Sequence, residues 1–321
     1  MIFMEQSTKE QIAFQLKGRD FIGLVDYTSE EIEYLLQSAI ELKLQQRNGI
    51  VHHLLKGKTL GMIFEKSSTR TRVSFEVGIY QLGGHALFLS KNDLQLGRGE
   101  TIMDTAQVMS RYVDGIMIRT YGHRTVIELA RGAKVPVING LTDLSHPCQA
   151  LADYQTILEK KGRLKGLKIA YIGDGNNMAH SLMIGGAKLG MDVTVATPEG
   201  YEPHQEVTSM AREYANQSGG SIHVYRDPRE AIEQADIIYT DVWTSMGHEK
   251  EQADRVLVFK NYQVNENLVK IAKKDYLFMH CLPAHRGEEV SEGIIDGGHS
   301  IVFDQAENRL HAQKAIMAAI M

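Results

Sequence analysis

Short apolar runs that stop at polar clusters alternate along this chain with stretches of helical periodicity. Residues 60–64, 86–89, 115–118 and 135–138 read as buried strands, and between them Val73, Val77 and Tyr80 share one helical face. Helical patterning also covers 101–112 and 125–131. A second alternation follows, with strands expected at 167–172, 192–196, 221–225, 237–239, 276–279 and 300–303, and helices at 205–216 and 228–235. A strand that must cross over through a helix to reach its neighbour forms a parallel sheet with helices on its faces. The expected fold is therefore α/β, with two domains, each a parallel β-sheet flanked by helices. The charged, glycine-bearing stretch 159–166 marks the boundary, and a last helix is expected from about Ala306. Thr28-Ser29-Glu30-Glu31 has the form of a capping box, whereas residues 1–27 show no defined element. With 321 residues and 43% apolar composition, the chain can fill two ordinary cores.

The first strand runs into Ser67-Ser68-Thr69-Arg70-Thr71-Arg72, after which the pattern becomes helical. A helix N-terminus offers unpaired N–H groups and the positive end of the peptide dipole, which together suit an anion. Hydroxyls and an arginine fork at that junction fit a phosphate. The blander reading is a helix cap with solvated arginines, but four hydroxyls and two arginines crowd into six residues here. The glycine-rich nucleotide loop ending in lysine is absent, so the anion need not belong to a nucleotide. Read alone, the cluster indicates only a non-nucleotide phosphate site; taken with the motifs along the rest of the chain, Arg70 is expected to touch the phosphate and Arg72 to brace the helix or an interface.

In such sheets ligands bind beyond the carboxyl ends of the strands. Those ends carry Arg119, His146-Pro147-Cys148-Gln149, Asp174 with Asn176 and Asn177, the stretch 241–247, and the stretch 280–287. Singly, His146 reads as a structural histidine, and Asn177 or Asp241 as helix caps; five strand ends with such groups read as a site. Gly173-Asp174-Gly175-Asn176-Asn177-Met178 is a poor dinucleotide fingerprint, because Met178 takes the third glycine position and Asp174 would crowd a pyrophosphate. His280, Cys281 and His285 lack the paired spacing of a structural zinc site. Cys281 reads either as a nucleophile with a nearby histidine or as a small buried side chain, and Pro283 as a fixed turn.

Net charge is −5 with no long single-sign run, which opposes a nucleic-acid partner. Glu5, Lys9 and Glu10 interrupt any leader-like stretch, and no apolar run approaches a membrane span. Two cysteines make no disulfide framework, so a cytoplasmic protein is expected.

Ser68-Thr69-Arg70-Thr71-Arg72, His146-Pro147-x-Gln149, Asp241-Val242-Trp243-x-Ser245-Met246-Gly247 and His280-Cys281-Leu282-Pro283 together resemble the ornithine carbamoyltransferases, in order along essentially the whole chain. The first two motifs belong to the wider aspartate/ornithine family. Aspartate enzymes differ where this chain has His-Cys-Leu-Pro, and putrescine enzymes lack the Ser-Met-Gly loop. The resemblance implies a carbamoyl-phosphate domain over 1–150, joined by the last helix at about 305–321, and an ornithine domain over 151–304. It implies a homotrimer in which Gln95 reaches a neighbouring site. Ser68, Thr69, Arg70, Thr71, Gln95, Arg119, His146, Gln149, Arg309, Cys281 and Leu282 would contact carbamoyl phosphate. Asn177, Asp241, Ser245 and Met246 would hold ornithine. Arg70, Arg119, His146, Asp241 and Cys281 would carry the chemistry, with no cofactor and no metal. The alternatives are a carbamoyltransferase for another amine such as putrescine, an inactive regulatory homologue, and a nicotinamide-dependent dehydrogenase.

Overall fold

The computed structural model describes residues 5–94, 99–244 and 251–321, so Gln95, Ser245 and Met246 lie outside the described residues. The chain divides into two compact units, one of residues 1–155 with 307–321, the other of residues 156–306.

The first unit starts with two helices, α1 (Gln6–Leu16) and α2 (Ser29–Arg47). Thr28 caps α2, with both halves of the capping box formed: its side chain accepts from Glu31 N, and Glu31 accepts from Thr28 N at 2.9 Å. The alternation follows as β1 (Thr59–Phe64), α3 (Thr69–Gln81), β2 (His85–Ser90), α4 (Ile102–Met109), β3 (Gly115–Arg119), α5 (His123–Gly132), β4 (Val137–Leu141) and α6 (Pro147–Lys161). The four strands are parallel in the order β2-β1-β3-β4. Strands β1, β3 and β4 are buried almost throughout, as expected where helices cover both faces. Ile63, Ile116, Ile118, Val126, Leu129 and Val137 form the core on one face, each burial contributing roughly 1.5–3 kcal/mol. Strand β4 starts later than the sequence pattern suggests, because Pro136 has no N–H to give a ladder. Gly83 closes α3 with φ +84°, a conformation that glycine adopts without a Cβ clash.

The second unit continues as β5 (Lys168–Ile172), α7 (Asn177–Lys188), β6 (Asp192–Ala196), α8 (Gln205–Ser218), β7 (Ser221–Tyr225), α9 (Pro228–Ile232), β8 (Ile237–Thr240), α10 (Gln252–Phe259), β9 (Leu277–His280), α11 (Glu292–Ile295) and α12 (Val302–Ile320). Its five strands are parallel in the order β7-β6-β5-β8-β9. The strand expected at 300–303 is instead the entry to α12. Ser300 makes only an isolated bridge with Phe278. Ile301 and Val302 are buried, a composition a strand and a buried helix share. Residues of α12 from Glu307 onward pack into the first unit.

Both sheets reverse direction once. In the first unit the chain runs from β1 to β2 on one side and continues with β3 on the other; in the second, β5-β6-β7 is followed by β8 across β5. The two crevices so formed, β1/β3 and β5/β8, are where this architecture receives ligands.

Candidate active site

At the β1/β3 crevice, Phe64 ends β1 and Ser68 caps α3. Its side chain accepts from Thr71 N at 3.3 Å, and its hydroxyl donates to Thr71 Oγ1 at 3.1 Å. Thr69 and Arg70 form the first turn of α3, where orphan N–H groups point outward. Glu65 N donates to the Arg119 carbonyl at 2.9 Å, which ties the two strand ends together. The β3–β4 register slips by one residue between Ile118 and Arg119, which leaves Gly140 of β4 as the extra, bulged residue, while Arg119 keeps its register opposite Phe64 of β1.

Arg309 enters from α12. Its guanidinium donates to Thr71 Oγ1 at 3.1 Å and to Gln149 Oε1 at 2.8 Å, while Gln149 Nε2 donates to Asp153 at 2.8 Å. Thr71, Gln149, Arg309, Arg119 and His146 are all buried, whereas Thr69 is exposed and Arg70 half-buried. His146 sits just before α6. Burial first, and then the charges of Arg309, Arg119 and Arg70, hold its pKa well below the ordinary value, so the ring is neutral at pH 7. The site therefore combines a positive field, a helix N-terminus and an uncharged imidazole. Neighbouring Cys148 is inert by the same burial, which pushes its thiol up to about 12.

Arg72, by contrast, is exposed. It donates to Glu76 at 3.0 Å one turn along α3 and lies 3.7 Å from the centroid of the Phe88 ring. It braces the helix against β2.

In the second unit the β5/β8 crevice is built around Asp241. Its Oδ1 accepts from Val242 N at 2.8 Å and from the Cys281 thiol at 3.0 Å, and its Oδ2 accepts from Asn176 Nδ2 at 3.1 Å. Asn176, not Asn177, is the N-cap of α7, its Oδ1 accepting from Met178 N at 2.9 Å; Asn177 is the first helical residue and half-buried. Tyr171 donates to Asn176 at 3.2 Å. Burial, followed by the charge of Asp241, raises its pKa well above the usual value, so it remains a donor.

The turn after β9 places Cys281 against Asp241. His280 is fully buried: its Nδ1 accepts from Leu282 N at 2.9 Å, which leaves Nε2 as the N–H toward Glu289 Oε1 at 3.1 Å. Both imidazole nitrogens are thus engaged, and the histidine is not a base for Cys281. A nucleophilic thiol needs such a base; this thiol serves as a hydrogen-bond donor to a carboxylate instead. Leu282 has φ +58° and is followed by a cis bond to Pro283. Metal-type donors gather within 4.8 Å of one another at Asp241, His280 and Cys281, and at His285, Glu288 and Glu289. In the first group the hydrogen bonds just described already occupy the imidazole and the thiol.

Gly175 has a packing role. A Cβ on Gly175 would fall 2.2 Å from Pro203 N, so only glycine lets the β5 and β6 loops meet. Asp174 is bound by Arg255 Nη1 at 2.7 Å. Arg255 and Glu289 were not legible as site residues from spacing alone, since their partners lie far off in the chain or on other elements.

The structure thus gathers Thr71, Gln149 and Arg309 with His146 and Arg119 in one unit, and Asn176, Asp241 and Cys281 in the other. Profiles of known families match both: "Aspartate/ornithine carbamoyltransferase, carbamoyl-P binding domain" over residues 19–159, and "Aspartate/ornithine carbamoyltransferase, Asp/Orn binding domain" over 165–320. The chain is 63% identical over 306 residues to the ornithine carbamoyltransferase of Thermococcus kodakarensis, covering 95% of this chain and 97% of that one. It is 62% identical over 306 residues, with 95% and 97% covered, to a Pyrococcus furiosus protein named "Ornithine carbamoyltransferase, anabolic". The solved ornithine carbamoyltransferase of Pyrococcus furiosus superposes with a TM-score of 0.93 at 62% identity, covering 95% of this chain and 98% of that chain. Matched by both domain profiles and by close full-length relatives, the chain belongs to the aspartate/ornithine carbamoyltransferase family and is a carbamoyltransferase.

Proposed function

We propose that the protein transfers the carbamoyl group of carbamoyl phosphate to L-ornithine, giving L-citrulline and phosphate. The observation that carries this reading is the buried Thr71–Arg309–Gln149 network beside a neutral His146 at the N-terminus of α3. A phosphate dianion suits Ser68, Thr69, Arg70 and Thr71 at the helix end. The carbamoyl oxygen suits Arg119, His146 and Thr71, which can donate to it as charge builds there. A neutral imidazole donates a hydrogen bond without competing for the proton on the amine.

The δ-amine of ornithine attacks the carbamoyl carbon, the C–O bond to phosphate breaks, and the amine proton leaves with the departing phosphate. The amine must first be neutral. With a lysine-like pKa near ~10.4, deprotonation at pH 7 costs roughly 4–5 kcal/mol. Asp241 and the Cys281 thiol orient the amine, with the Leu282 carbonyl beside them. Asn177, Ser245 and Met246 hold the amino-acid end, and Gln95 reaches a neighbouring subunit's site in a homotrimer. Exposed Val73, Val77 and Tyr80 on α3 and Leu87 on the edge strand β2 support such an interface. Arginine biosynthesis is the assigned direction, supported by the "anabolic" name of the Pyrococcus relative, and the cytoplasm is the assigned location. Carbamoyl phosphate is already activated, so the reaction needs no cofactor.

Incubation with carbamoyl phosphate and ornithine tests the proposal. Citrulline and phosphate should appear in equal amounts; phosphate released without citrulline would refute it.

A further inference from the structure

Arg255 lies on α10, outside every motif that the resemblance rests on, yet it is buried at 6% exposure. Its Nη1 donates to Asp174 Oδ2 at 2.7 Å and to the Trp243 carbonyl at 2.9 Å, and its Nε donates to Glu251 at 3.1 Å. The guanidinium also sits 4.9 Å from the centroid of the Tyr201 ring. Asp174 follows β5, Tyr201 follows β6, and Trp243 follows β8. One side chain therefore ties together the carboxyl ends of three adjacent strands, β6-β5-β8.

Those are the strand ends from which Asn176, Asn177 and Asp241 project. The hydrogen bond from Asn176 to Asp241 spans the β5/β8 crevice at 3.1 Å, and the Asp174–Arg255–Trp243 link spans it a second time. The fork geometry matters: one nitrogen serves a carboxylate and a carbonyl on different strands while another reaches Glu251, which a lysine ammonium on a flexible stem does not reproduce. The charge matters too. Asp174 and Asp241 both act on the Tyr171 hydroxyl, so they share one neighbourhood, and Arg255 neutralises the member that does not face substrate.

We propose that Arg255 is a positioning residue for the amino-acid substrate: it fixes the spacing of the β5 and β8 ends and keeps Asp241 the carboxylate available to the substrate amine. The inference rests on the reading of this unit as the ornithine-binding one. The role acts through Asp174 and Trp243, without substrate contact.

Steady-state kinetics with each substrate varied separately test it, beside thermal melts. Arg255→Gln should raise KM for ornithine by about 10- to 100-fold, the loss expected for hydrogen bonds to a charged group. KM for carbamoyl phosphate should stay within about twofold, as for an independent site. Arg255→Lys should recover part of the loss. Arg255→Gln leaves Asp174 buried without its cation and can fail to fold. The double variant Asp174→Asn/Arg255→Gln removes both charges, and should keep the raised ornithine KM because the Trp243 link is still missing. A lowered melting temperature with an unchanged ornithine KM, or equal rises in both KM values, would overturn the proposal. Failure of the underlying reading would show differently, as an unmodified protein that makes no citrulline.

Discussion

Removing Arg70 and softening Arg72 should have very unequal consequences, although the two lie two residues apart. Arg70 is half-buried in the first turn of α3, beside Ser68 and Thr71 and close enough to His146 to depress its pKa. A fork on a phosphate makes charge-assisted hydrogen bonds of about 1.5–3 kcal/mol each, so losing two costs roughly 3–6 kcal/mol of binding and transition-state stabilisation. Arg70→Gly should therefore lower turnover by about 10²- to 10⁴-fold. Arg72 instead spends its side chain within the fold, on Glu76 and on the Phe88 ring. The Glu76 pair is exposed and contributes about 0.3–0.5 kcal/mol, the ring contact about 0.5–1 kcal/mol. Lysine keeps the charge, so Arg72→Lys should change activity by less than about threefold and the melting temperature by a few degrees. Colorimetric citrulline formation with a parallel thermal melt reads both effects. Equal losses of activity, or an Arg70→Gly protein that is inactive only because it is unfolded, would refute the division of roles.

Cys281→Ser should lower kcat and alter its pH dependence, because it changes the donor on Asp241 Oδ1 (3.0 Å away); an unchanged pH–rate profile would remove Cys281 from the proton path. Lys314 is fully buried against Gln46 and Gln81, and burial lowers its pKa from 10.5 to about 8. Between about pH 8 and 10.5 the unfolded chain keeps a proton that the native state has released, so this group's contribution to stability rises with pH across that window, by about 3 kcal/mol. Chemical denaturation of Lys314→Met over the same range should lack that rise. Gly175→Ala should destabilise the protein by several kcal/mol, since the methyl would meet backbone at 2.2 Å; a melt within a degree of the parent would contradict the packing argument.

What the sequence made legible was local. The Thr28–Glu31 box spans four residues and forms as read. The hydroxyl-and-arginine cluster declared a helix N-terminus after a buried strand because cap chemistry and apolar run are contiguous. Strand ends 192–196 and 221–225 were readable where polar residues flank a β-branched run. Illegible features depend on what burial does at a distance. Ile301 and Val302 look like a strand but lead into a helix that is buried on most sides, with polar Gln305, Asn308, Arg309 and Lys314 among its buried residues, so no apolar period survives. Helix α1 carries only two buried residues, Ile12 and Leu16, and leaves little stripe to detect. Arg255 and Asp174 are 81 residues apart, and nothing in either neighbourhood announces the other. Asn176 and Asn177 stand together at the same strand end, and adjacent asparagines cannot be ranked as caps until the backbone shows that Asn176 caps α7.

The proposed division of labour, in which the β5/β8 crevice selects an amino acid while the β1/β3 crevice supplies the carbamoyl group, makes the choice of acceptor decisive. Its most direct test is kcat/KM at fixed saturating carbamoyl phosphate, with ornithine, putrescine and aspartate compared as acceptors. Putrescine carries the same primary amine without the α-carboxylate and α-amino groups. Ornithine should exceed both other acceptors by at least about 100-fold, the scale of losing one charged contact. Equal or faster carbamoylation of putrescine, or no citrulline from ornithine, would contradict it.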